Sequence, residues 1–138
     1  AAAHGHSNEL LEIGDCLWPF ANLVNELELD VESIYEDAID SLKEEWYDSK
    51  SEAIDMMRIT SAKICGRVKK WLRDDDTTEL PSDEKTMDIE FSLINYLSAI
   101  LYICAALEVT WQDVAQINID KLFDRKKRDK ISGSGDSR

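Results

Sequence analysis

Glycine and proline are scarce in this chain: five and two in 138 residues. That is too few to supply the turns of a β-sandwich or barrel. Cysteine is scarce as well. Cys16, Cys65 and Cys104 are odd in number and form no CxxC pair, so the reading is of thiols in a reducing compartment rather than a disulfide framework. Basic residues are outnumbered, 16 against 29 acids, for a net charge of −13. A nucleic-acid polymer, whose binding needs a basic face, is not expected as a partner. Phosphate-bearing small molecules stay open, because a bound cation reverses the local sign of a carboxylate site. No apolar run approaches membrane-spanning length and nothing resembles a signal peptide, so no membrane association is expected and cytoplasm is the default compartment. Neither a Ser-His-Asp set nor a P-loop is present.

What remains is long segments with helical spacing. Length, 43% hydrophobic and 33% charged residues fit one globular unit of all-α class. About five helices are expected, over 8–28, 30–46, 52–73, 84–107 and 110–128. Asp30 reads as an N-cap, the TWQD pattern at Thr110 as another, and Ser82 after Pro81 as a further candidate. In the third segment Met56, Ile59, Ile64, Val68 and Leu72 are the apolar residues.

Displaced by 80 positions, residues 12–44 overlay 92–124 without a gap. Leu17 meets Leu97, Leu27 meets Leu107, Glu28 meets Glu108, Ile34 meets Val114, Ile39 meets Ile119 and Leu42 meets Leu122. The halves differ on one stripe. Asn8, Glu12, Asp15, Pro19, Asn22 and Glu26 share a helical face. Five of these correspond to Ser92, Asn95, Ala99, Tyr102 and Ala106. The simplest account is that the second half buries a face that the first keeps polar.

LLEIGDCLW near the start and INIDKLFDRKKRDKISGSGDSR at the end resemble the MazG-like, all-α nucleoside triphosphate pyrophosphohydrolases. That family pairs an acidic E-x-x-E helix with an E-x-x-D helix. An N-x-x-KL-x-x-R helix follows, and some members end in a Gly-rich tail. The resemblance covers the chain as the back half of one such repeat, residues 1–45, followed by a second over 46–138. It implies a tandem packed as a pseudo-dimer or homodimer. The implied reaction is Mg²⁺-dependent hydrolysis of a nucleoside triphosphate to the monophosphate and pyrophosphate, including disposal of non-standard nucleotides. By the resemblance Glu12 and Asp15 are the metal-binding catalytic acids. By the same resemblance Asn118, Lys121, Arg125 and Arg138 are the substrate-binding residues, and Gly133, Gly135, Asp136 and Arg138 match the tail. The second repeat departs from the pattern: its acidic element falls on Thr60, Lys63 and Gly66, and its E-x-x-D on Ser92 and Asn95. The first has Ala38 and Ser41 in place of Asn118 and Lys121. Neither is complete alone, which points to one composite site. The remaining carboxylates are then expected from residues before Ala1 or from another chain.

Each residue also has a plainer reading. Glu12 and Asp15, one turn apart, suit a shared Mg²⁺ or an ordinary solvated face. Pro19 removes the helical partner of the Asp15 carbonyl and bends the helix, or is a tolerated kink. Lys121 and Arg125, four apart, suit an anion or simply favour a helix C-terminus. Asn118 suits a ligand or water. His4 and His6 read better as a frayed start than as metal ligands. Glu44, Glu45, Asp48, Glu52 and Asp55 read as a charged connection. The alternative function is a helical interaction or oligomerisation module carrying a vestigial site.

Overall fold

The computed structural model describes residues 7–44, 46–75 and 77–128. Among them are five helices and no strand: α1 (Ser7–Glu26), α2 (Val31–Glu44), α3 (Lys50–Asp74), α4 (Asp83–Ala106) and α5 (Trp111–Lys127). Local chemistry sets most of the boundaries. The Asp30 carboxylate accepts from the amides of Glu32 (3.0 Å) and Ser33 (3.3 Å), which opens α2. Thr110 and Asp113 form a reciprocal capping box on α5. Ser49, not singled out in the sequence, caps α3 by accepting from Glu52, whose own carboxylate takes the Asp48 amide at 2.7 Å. That bond gives part of the acidic connection a structural task. Ser82 does precede α4, but its side chain makes no capping bond.

The 80-residue repeat reappears in hydrogen bonds. At the end of α1 the Glu28 amide donates to Asn25 (3.1 Å) and the Leu29 amide to Val24 (2.9 Å). At the end of α4 the Glu108 amide donates to Ala105 (3.1 Å) and the Val109 amide to Cys104 (3.0 Å). Each is a Schellman closure with a left-handed glutamate, φ 52° at Glu28 and 58° at Glu108. Core positions repeat too: Ile13 and Leu93, Phe20 and Ile100, Val24 and Cys104, and Ile34 and Val114 are all buried.

The main packing pairs are α3 on α4, α2 on α4 and α1 on α5, with a lesser contact of α4 on α5. Under the repeat, α1 corresponds to α4 and α2 to α5. The pairs α1–α5 and α4–α2 are therefore one pairing made twice, each long helix resting on the second helix of the other half. The two long helices also meet at matched residues, the Tyr96 hydroxyl donating to the Cys16 carbonyl at 2.9 Å. Phe20 stacks on Tyr96 at 6.3 Å, and the core continues through Leu97, Ile100 and Leu107.

The stripe that differs between the halves is exposed along all of α1, from Asn8 through Glu12, Asp15, Pro19 and Asn22 to Glu26. On α4 Ser92, Ala99 and Tyr102 are buried and Asn95 is half-buried; Ala106 alone is exposed. The cover is the α2–α3 connection and α3 itself. Trp46 and Tyr47 pack edge-on against Tyr102, and Tyr47 shares a 3.1 Å hydrogen bond with Ser98. Ile59 is 50% and Leu72 59% exposed on α3, and the buried positions there are Ala53 and Thr60. Contrary to the sequence reading, α4 is long and apolar enough to cross a membrane; 67% of its most apolar window is buried within the protein, as in a core helix.

Candidate functional site

The crossing of α1 and α5 depends on Gly14. A Cβ there would stand 2.8 Å from the Asn118 Cβ, closer than two carbons tolerate. With only hydrogen at that point α5 lies directly on α1, and Asn118 and Lys121 reach the next residue of α1. Asn118 Nδ2 donates to Asp15 Oδ1 at 2.8 Å, and Lys121 Nζ to the same oxygen at 2.6 Å. Asp15 lies 103 and 106 residues from these partners in the chain. Asn118 is buried, and only 9% of the Lys121 side chain is exposed against 43% for Asp15. The lysine stem is therefore packed and its ammonium is directed at the carboxylate, a stronger arrangement than a surface ion pair.

Both donors use Oδ1, so Oδ2 of Asp15 takes no hydrogen bond from the described residues. Glu12, one turn earlier, is exposed. It lines a groove of about 740 Å³ with Asn8 and Cys16 of α1, Arg58 and Ser61 of α3 and Tyr96 of α4. Asp15 and Glu12 are the two carboxylates here that could serve as oxygen ligands to a hard cation such as Mg²⁺, which keeps several waters of its own; the Lys121 ammonium could not. No cluster of three or more metal-binding side chains occurs among the described residues. Arg125 is buried one turn beyond Lys121. The structure thus brings Asp15, Asn118 and Lys121 together and leaves Glu12 beside them on α1. Arg138, the glycines of the tail, His4 and His6 lie outside the described residues.

Sequence reasoning did not single out Cys16 and Tyr96 as neighbours of the site. Proline at position 19 has no N–H, so the Asp15 carbonyl lacks its usual helical donor. α1 nevertheless continues through Pro19 to Glu26, and the Tyr96 hydroxyl serves the adjacent Cys16 carbonyl. Burial pushes the Cys16 thiol up; the Tyr96 contact opposes this, and the charges of Asp15 and Glu12 add to it. Burial, and then Cys16, raise the Tyr96 phenol above its usual range. Residues 16 and 96 are 80 apart, so the repeat itself was the available signal.

The corresponding positions of the second half also come together. Thr60, Lys63 and Gly66 of α3 and Ser92 and Asn95 of α4 line one groove of about 470 Å³. None of these five is a carboxylate. No family model, no curated protein and no solved structure matches this chain.

Proposed function

We propose that the chain is a Mg²⁺-dependent nucleoside triphosphate pyrophosphohydrolase of MazG-like type, with two unequal repeats packed as a pseudo-dimer around one composite site. The observation that carries this reading is the contact of Asp15, from the first half, with Asn118 and Lys121, from the second. Each half supplies what the other lacks.

Within this reading Asp15 and Glu12 would hold Mg²⁺, which would supply charge neutralisation to the triphosphate and Lewis acidity to an attacking water. Asn118 fixes the Asp15 carboxylate so that one oxygen stays turned outward. Lys121 balances the Asp15 charge before substrate arrives and supplies a cation to the triphosphate afterwards. The open stripe of α1 is where the further carboxylates would approach, from another segment or another copy of the chain. The products are a nucleoside monophosphate and pyrophosphate.

The test is pyrophosphate release from a panel of nucleoside triphosphates with Mg²⁺. Asp15→Asn, Glu12→Gln and Lys121→Met are expected to lower kcat at least tenfold while the helical spectrum is unchanged. A folded, inactive wild-type chain would reject a site that is complete in this chain and its copies. A second reading then stands, an interaction module, and one observation favours it: Trp18 is 55% exposed beside a stripe whose counterpart on α4 is covered.

A further inference from the structure

α3 presents Lys63, Arg67 and Lys70 on one face, at spacings of four and three residues. They line the second groove with Gly66, and α4 supplies Asp88, Phe91, Ser92 and Asn95 from the facing wall. Arg67 pairs with Asp88 at 3.0 Å. Lys63 and Lys70 have no ion-pair partner among the described residues, so the groove keeps a net positive charge in a chain whose total is −13. Ser92 is buried, and neither its hydroxyl nor the Asn95 amide is hydrogen-bonded to the described residues. The Thr60 hydroxyl, by contrast, is spent on the carbonyls of Met56 (2.8 Å) and Met57 (3.1 Å).

We propose that this groove between α3 and α4 is a metal-independent binding site for a diphosphate group. The chemistry is complementary at each point. Two ammonium groups that form no ion pair with the described residues, and a guanidinium, supply the charge, and a hydroxyl and an amide supply neutral donors. Among the described residues the groove offers a divalent cation little to bind, because its one lining carboxylate, Asp88, is engaged by Arg67. Anion binding follows from fixed cations rather than from carboxylates loaded with metal. The exposed ring of Phe91 and side chain of Ile59 form an apolar rim. That rim suits a nucleobase, so free pyrophosphate and a nucleoside diphosphate share the binding chemistry and differ only there.

Gly66 provides the decisive variant. Its missing Cβ would meet nothing within 4 Å, so a side chain enters open groove without displacing a neighbour. Titration calorimetry of the full chain with inorganic pyrophosphate, in EDTA and low salt, is the experiment. Wild type is expected to bind one equivalent, with affinity falling as salt rises. Gly66→Glu and Lys63→Glu/Lys70→Glu are expected to weaken binding at least tenfold, with Asp15→Asn and Lys121→Met unchanged. ADP in place of pyrophosphate reports on the rim: tighter binding that Phe91→Ala abolishes identifies a nucleotide, and equal binding identifies the bare diphosphate. Absence of wild-type binding at millimolar pyrophosphate overturns the proposal. So does undiminished binding by Gly66→Glu, or loss of binding in Lys121→Met instead. EDTA removes metal-dependent turnover, so either result stands apart from that of the hydrolysis test.

Discussion

Two helical glycines, Gly14 and Gly66, look alike in sequence and have opposite surroundings. Gly14 is buried with the Asn118 Cβ at 2.8 Å from where its own would stand, and Gly66 faces open space. Gly14→Ala is expected to separate α1 from α5 and to lower stability by about 1–3 kcal/mol, read as a fall in the denaturation midpoint. Gly66→Ala is expected to raise stability by up to about 1 kcal/mol through helix propensity alone. Asp15 and Lys121 show how much of the site could be read from residues. Their types and places within the motifs pointed to them, but the pairing of Asp15 rather than Glu12 with Lys121 depends on the crossing at Gly14. No local pattern encodes that crossing, since its members are more than 100 residues apart. Asp15→Asn removes the carboxylate from its charge-assisted contact with the packed Lys121 ammonium, at a cost of roughly 1.5–3 kcal/mol. Chemical denaturation should show that loss, and Asp15→Asn/Lys121→Met should recover part of it.

At the level of elements, caps and apolar spacing made all five helices legible, because both signals operate within a few residues. Asp30 and Thr110 act as expected, whereas Ser82 does not. The helix-ending turns carry a cost the sequence did not advertise. Glu28 and Glu108 both adopt positive φ, where a Cβ is crowded and glycine is not. Glu28→Gly and Glu108→Gly are each expected to stabilise the fold by about 0.5–1 kcal/mol, the greater freedom of the unfolded chain offsetting part of the relief. Thermal melts of the two single variants and the double variant would check this, and would show whether two turns 80 residues apart contribute equally. The pattern of α3 was the least legible. Its exposed Ile59 and Leu72 and buried Thr60 reflect where α4 lies, which helical periodicity on α3 alone does not specify.

For the molecule as a whole, the core contains groups that resist ionisation. Burial pushes the Cys104 thiol from 9.0 up to about 11, and Cys16 and Tyr96 move the same way. The folded state therefore keeps protons that the unfolded chain releases first. This contribution to stability should be intact below about pH 9 and decline as pH rises toward 11, with Cys104 accounting for roughly 2–3 kcal/mol of the loss. Urea titrations between pH 8 and 11 should show this slope, flattened in Cys104→Ala.

The exchange of partners between halves bears on how the chain holds together when cut. The loop at residues 77–80 is exposed, yet α3 on α4, α2 on α4 and α1 on α5 all join helices on opposite sides of it. A protease nick there leaves two peptides, neither of which retains a core, though together they contain all of it. The nicked protein should stay assembled at micromolar concentration and unfold on dilution, behaving as an obligate heterodimer made from a single gene product.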